Sequence, residues 1–383
     1  MKEARGGLYV HVALCRSKCI YCDFYSEVCK PDTDWKRYVT ALLNEFKSRS
    51  AELAGMNEIT IYIGGGTPSL LPSDLLTELI AGIRKISFDN VDSLKIIETT
   101  MEVNPDDVSA DKAIMWKNAG VDRVSMGVQS LNDYELRRIG RRHNALAAQN
   151  AYKVLADIFD NVSLDLMFGL PGQTLDSLSS TIDAFIKMQP QHISAYSLMY
   201  EERTALTRMR DAGKIEEADE NLSIDMFRMI NDRLKKAGYL RYEISNYALP
   251  GFESKHNSAY WNRTPYIGLG PSAHSFDGDR RRRWNVADIR KYLNGVGSKE
   301  DWFEIETLTN TEIAEEYIMT GLRTAKGIDL NNYEDMFGKD AVNQLVGKAQ
   351  KLIKTGLLEH GKDSLRLTDA GVMISDEIIV ELF

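Results

Sequence analysis

Three cysteines share one short stretch, Cys15, Cys19 and Cys22, at spacings of four and three. Ligands this close can face a common point from a single loop, and thiolates are soft donors suited to iron–sulfur clusters or zinc. A structural zinc site asks for a fourth Cys or His nearby, whereas three thiolates on a four-iron cluster leave one iron open to an outside ligand. The spacing therefore predicts an iron–sulfur site on Cys15, Cys19 and Cys22. Cys29 is the rival fourth ligand, but it lies seven residues past Cys22 and reads more simply as a reactive or buried free thiol. These four are the only cysteines, too clustered to staple 383 residues, so no disulfide framework is expected.

Further polar groups fall at the ends of apolar runs. Gly64-Gly65-Gly66-Thr67-Pro68 follows one such run, where residues without a Cβ let backbone amides approach a ligand and Pro68 fixes the exit turn. Glu102 ends the next run, Gln129 the one after, and Asp165 lies just ahead of Gly169-Leu170-Pro171-Gly172. Each alone reads equally well as a barrel-layer or surface residue. Their recurrence at one run end after another singles them out.

The runs that would position these groups cover residues 8–12, 59–63, 95–103, 123–128, 162–167 and 193–198, with amphipathic stretches at 34–49, 73–86, 110–119, 145–157 and 175–188 between them. Strand–helix alternation means βαβ units about a parallel sheet. Six units by residue 200 predict an α/β fold with an open, partial (β/α)6 barrel, whose chemistry would sit where the strands end. The barrel and its extension are expected over 1–300. Residues 301–383 read as helices at 311–322, 331–337 and 340–355 followed by a hairpin about the 361–364 turn, a small winged-helix-like α+β module.

An apolar fraction of 43% against 27% charged excludes a disordered chain. The net charge is −9, and from Glu300 onward 17 acids face 8 bases, so the excess negative charge lies in the C-terminal fifth. That balance argues against nucleic-acid binding, leaves Arg280-Arg281-Arg282-Arg283 as a solvated loop, and suits the C-terminal module to docking on the barrel or on a partner protein. No apolar run approaches the ~18 residues that would cross a bilayer. Lys2 and Arg5 ahead of the apolar residues before Cys15 loosely imitate a lipoprotein signal, but His11 interrupts the run and Leu14 is too bulky for a cleavage site. A cytoplasmic strand is expected.

Cys15-x3-Cys19-x2-Cys22, with Tyr21 before the last cysteine, resembles the signature of the radical S-adenosylmethionine (SAM) superfamily. The resemblance implies a [4Fe–4S] cluster whose open iron takes the amino and carboxylate groups of SAM, and chemistry through a 5′-deoxyadenosyl radical. It is similar in particular to the coproporphyrinogen III oxidase-like branch, through 8–12, 64–69, 127–130 and 165–172. That resemblance covers essentially the whole chain. It implies that Gly65, Gly66 and Thr67 hold the SAM amino group, and that Tyr9, Tyr21, Glu102, Gln129, Arg141 and Asp165 also contact the cofactor. Ala13-Leu14, where the branch usually has Pro-Phe, is a departure that removes no ligand.

The branch contains oxidases and heme chaperones, and three features point to the chaperones. Phe24 stands where the oxidase carries an additional cysteine, eight residues precede Tyr9 where the oxidase has a substrate-covering extension, and His256-Asn257-Ser258-Ala259-Tyr260-Trp261 resembles a His-Asn-x-x-Tyr-Trp motif of the chaperones. His256 could ligate heme iron while Tyr260 and Trp261 offer flat faces to a porphyrin, or all three could simply pack the barrel mouth. His274 is a second candidate ligand, and His11 reads as a hydrogen-bonded core residue. The resemblance thus implies heme or porphyrin as partner and a recipient hemoprotein. A homodimer and a peripheral place beside membrane-bound hemoproteins are compatible with it. An oxidase acting on a porphyrinogen propionate, and a SAM enzyme for another substrate, are the competing readings.

Overall fold

The computed structural model describes residues 5–91, 93–298 and 301–383. Its chain begins with β1 (Arg5–Val12), passes the short β2 (Leu14–Cys15) and β3 (Glu27–Val28) of the cysteine loop, and enters β4 (Glu58–Gly65), β5 (Lys95–Val103), β6 (Arg123–Gln129), β7 (Val162–Phe168) and β8 (His192–Ser197). Strands β1 and β4 to β8 are mutually parallel neighbours in that order. Leu8, Val10 and Val12 are fully buried on one side of β1, while Tyr9 and His11 point to the other, the alternation expected of a strand with helices outside and a lumen inside. Helices Trp35–Arg49, Ser73–Asn90, Ala110–Ala119, Ala145–Ala156 and Leu175–Met188 form the outer layer. Asp34, Ser109, Asn144 and Thr174 cap four of them by accepting first-turn amides.

The six-unit partial barrel expected from the sequence is present, and the sheet runs further. Beyond β8 lie β9 (Leu240–Arg241) and β10 (Asn246–Ala248), antiparallel. On the other edge β11 (Tyr266–Leu269) joins β1 in parallel, and β12 (His274–Phe276), β13 (Arg281–Asn285) and β14 (Phe303–Thr307) continue antiparallel, giving twelve strands among the described residues. Arg281, Arg282 and Arg283 therefore lie on a strand, where a solvated loop was expected. Because β14 pairs with β13, the large sheet also extends past the boundary expected near Asp301.

The C-terminal module has its own apolar core around Ile318, Leu322, Leu345 and Leu352. It holds β15 (Ile328–Asp329), β16 (Leu358–His360) and β17 (Ser364–Leu367) with helices Asn310–Leu322, Leu330–Phe337 and Lys339–Lys354, and adds a closing helix, Ser375–Leu382. It docks on the barrel through backbone bonds from Ile244 to Arg323 and from Ala325 to Tyr242. Among the described residues no helix is long and apolar enough to cross a membrane.

Candidate functional site

Cys15 ends β2 and is buried, while Cys19 and Cys22 are half-buried on the loop that follows. The loop is shaped by a Cys22 amide bond to the Cys19 carbonyl (3.2 Å), and by Gly66 and Thr67 amides that donate to the Val12 and Leu14 carbonyls at 2.8 and 2.9 Å. A Cβ on Gly66 would stand 2.6 Å from the Val12 oxygen, so glycine is what brings the two loops together. Burial, with Cys19 and Cys15 close by, pushes the Cys22 thiol up to about 11. A cationic centre would favour the charged thiolate that burial opposes at Cys22, and thiolates are soft ligands, so the donor set fits a metal cluster. Among the described residues no three Cys, His, Asp or Glu side chains converge on one ion. Three thiolates are one short of the four ligands of a structural zinc, whereas on a four-iron cluster they leave one iron open. Cys29 lies behind it, its amide on the Cys15 carbonyl (2.8 Å) and its side chain against the main core.

The strand ends bring the other expected residues to one mouth. Tyr62 Oη and the Gly65 amide donate to the two oxygens of Glu102 at 2.8 and 3.0 Å, and burial raises its carboxyl to about 7. Gly65 has φ +105°, and a Cβ there would meet the His11 ring at 2.6 Å. Asp165 accepts from Ser125 Oγ (3.1 Å) and is likewise pushed up by burial, to about 6. Gln129 is buried with φ +70° beside a register shift between β6 and β7, a strained backbone of the kind found at binding sites. Arg141 binds the Gly127 carbonyl, donates to Asn104 Oδ1 at 2.9 Å and reaches Cys19 Sγ at 3.7 Å, while Asn104 Nδ2 donates to Thr67 Oγ1 at 3.3 Å. Tyr21 stands beside Arg141, Cys19 and Cys22. Tyr9 donates from or accepts at its hydroxyl with His11 Nδ1 at 2.9 Å.

His256, open to iron ligation or to packing on sequence grounds, is held inside the barrel by two hydrogen bonds. Its Nδ1 bonds Thr60 Oγ1 at 2.8 Å, its Nε2 bonds Tyr260 Oη at 2.9 Å, and it is 1% exposed. Burial pushes its pKa down to about 3, so the ring is neutral and both nitrogens are engaged. Glu98 of β5 holds the segment in place, its carboxylate taking the Lys255 and His256 amides at 2.9 and 3.0 Å and pinning the start of helix Lys255–Trp261 against the barrel floor. Tyr260 meets Tyr266 edge-on at 4.7 Å, and Trp261 Nε1 is buried without a partner among the described residues. The motif packs the barrel here.

Sequence reasoning passed over Tyr62, Asn104, Glu98 and Arg123. Arg123 is 1% exposed, with Nε and Nη1 unpartnered among the described residues, and its charge opposes the rise of both Glu102 and Asp165. Asn104 was visible at a strand end. A charged residue at the start of a strand, such as Arg123, carries no comparable signal.

The profile of the radical SAM superfamily matches residues 9–185, and that of the HemN C-terminal domain matches 308–374. The heme chaperone HemW of Bacillus subtilis is 32% identical over 374 residues, covering 97% of each chain. The heme chaperone HemW of Escherichia coli is 38% identical over 268 residues, 70% of this chain and 69% of that one. The solved structure of coproporphyrinogen III oxidase (HemN) from Escherichia coli covers 99% of this chain and 90% of its own with a TM-score of 0.82, at 21% identity, a likeness of fold.

Proposed function

The chain belongs to the HemW family of radical SAM proteins, and on that premise we propose that it is a heme chaperone, binding heme and handing it to a recipient hemoprotein. The observation that carries this reading is that the match to heme chaperones runs through barrel and C-terminal module alike. Membership implies a [4Fe–4S] cluster and SAM. Cys15, Cys19 and Cys22 would hold the cluster, which supplies an open iron to SAM. Gly65, Gly66 and Thr67, with Glu102, Gln129, Arg141, Asp165, Tyr9 and Tyr21 around them, would gather the separate polar groups of SAM along the strand ends. Glu102 and Asp165 offer acceptors whose cost of ionisation is lowered by Arg123 beneath them.

Cysteine thiolates reserved for an iron–sulfur cluster suit a reducing compartment, which supports a cytoplasmic location. Self-association as a homodimer and delivery beside membrane-bound hemoproteins belong to the same proposal. The test is anaerobic reconstitution followed by heme titration and gel filtration. Heme should co-elute in one-to-one ratio and pass to an apo-hemoprotein. The elution volume reports the dimer. Carbon dioxide release from coproporphyrinogen III, with no retained heme, would decide for the oxidase.

A further inference from the structure

The chain has six histidines, and three of them have both ring nitrogens engaged inside the barrel. These are His256, His11 (Tyr9 Oη and the Tyr25 carbonyl, each 2.9 Å) and His192 (Ser163 Oγ at 2.7 Å, Tyr242 Oη at 2.9 Å). His143 is buried, bonded to the Val128 carbonyl at 3.1 Å and set beside Arg141. His360 is exposed on β16 of the C-terminal module, with no aromatic ring against it among the described contacts.

His274 is different. It is exposed at the start of β12, neither of its nitrogens has a hydrogen-bond partner among the described residues, and its ring stacks on Trp284 with centroids 6.0 Å apart and planes at 25°. Strand register fixes what surrounds it. Tyr266 pairs with Phe276, His274 with Trp284 and Phe276 with Arg282, so these side chains share one face of the sheet. It is the face that carries Tyr9 and His11 on β1, because Gly7 pairs with Tyr266 and Tyr9 with Gly268. The aromatic face at β11 to β13 thus continues the inner wall of the barrel, with His274 and Trp284 level with Tyr9, and Tyr266, Phe276 and Arg282 level with Gly7 nearer the strand starts.

That face also carries positive charge. Arg263 and Arg282 lie over the Phe276 ring at 4.7 and 4.8 Å, and both bind the one carboxylate of Glu316, at 2.5 and 2.7 Å. Two guanidiniums against one carboxylate leave a cation to spare. Arg282 is two residues from Trp284 on the same face, roughly 7 Å along the strand. Burial and the Arg282 charge lower the pKa of His274, which keeps an imidazole lone pair available.

We infer that His274 is the axial ligand of heme in this protein, that Trp284 fixes the orientation of its ring, and that Arg282 receives a heme propionate. The inference rests on the heme-chaperone reading and names the site at which that reading would operate. The bond formed is a coordinate one, from an imidazole nitrogen to iron, and no electron is transferred.

The test is a titration of ferric heme into the anaerobically reconstituted full chain, read as difference spectra against the heme-free protein. The wild type should shift the Soret band. His274→Ala should lose the shift and bind heme about tenfold or more weakly, and added imidazole should restore the shift. Metal-free protoporphyrin should bind that variant almost as well as it binds the wild type, because only the iron bond is missing. Trp284→Leu should weaken both ligands. If the wild type binds no heme, the chaperone reading falls. If the wild type binds heme and His274→Ala keeps an unchanged Soret band, or loses metal-free porphyrin equally, the ligand assignment alone falls.

Discussion

Glu102 at the end of β5 receives the Gly65 amide at 3.0 Å, so the carboxylate and the glycine loop of the neighbouring strand are one unit. Burial raises this carboxyl to about 7 from an ordinary 4.5, with Asp165 nearby raising it further. The folded state therefore holds the proton more tightly than the unfolded one, and stability falls as pH rises from about 4.5 through about 7, then levels. Glu102→Gln should remove the Glu102 share of that slope and leave the share of Asp165, whose carboxyl is raised to about 6. Thermal midpoints of wild type and variant between pH 5 and 8 check it, and parallel curves would refute the assignment.

Affinity for SAM should depend on the same mouth. Gln129→Ala and Asp165→Ala should each weaken SAM binding by roughly 1–3 kcal/mol, the cost of leaving buried polar partners unpaired. Iron content should be unchanged, because the cluster is assigned to the three cysteines and Asp165 is bonded to Ser125 within the strands. Calorimetry on the reconstituted protein measures this, and unaltered affinity in both variants would take SAM away from the strand ends.

The cysteine loop makes a sharper distinction. Replacing Cys15, Cys19 or Cys22 by Ala should abolish the visible absorbance and the bound iron, while Cys29→Ala should leave both. Cys29 packs on the core behind the loop, so its replacement should cost only packing, a fraction of the ~1–3 kcal/mol typical of buried side chains. Iron analysis of the four variants decides, and a Cys29→Ala protein as empty as Cys19→Ala would break the three-ligand argument.

The parallel strands could be read in advance because strands covered on both faces are apolar runs, and their ends stand out as abrupt polar or glycine positions. The cysteine loop was legible because its chemistry is local. What stayed hidden depends on contacts between distant residues. Tyr266-Ile267-Gly268-Leu269 is too short to show a period, and only its pairing with β1 makes it a strand of the barrel. His256 looked available for iron because its partners Thr60 and Glu98 lie on strands more than 150 positions earlier in the chain. The stacking of His274 on Trp284 likewise needs the β12 to β13 register, which no spacing announces.

Glu98 carries the last prediction. Its Oε2 accepts the Lys255 amide at 2.9 Å, and its Oε1 accepts the His256 amide at 3.0 Å, with Thr100 Oγ1 and Ser254 Oγ at 3.3 and 3.4 Å. This buried carboxylate does for the helix what an N-cap does, and its charge faces the positive end of the helix. Glu98→Ala leaves two amides in a dry site and should cost roughly 2–4 kcal/mol of stability. Glu98→Gln keeps one acceptor oxygen and should lose less. If His256 were the iron ligand, loosening this helix would also disturb the heme spectrum. With His274 as ligand, both variants should melt earlier in the same order while their Soret bands stay where the wild-type band lies. Midpoints and heme difference spectra on the same samples separate the two, and a displaced Soret band in Glu98→Gln would return the iron to His256.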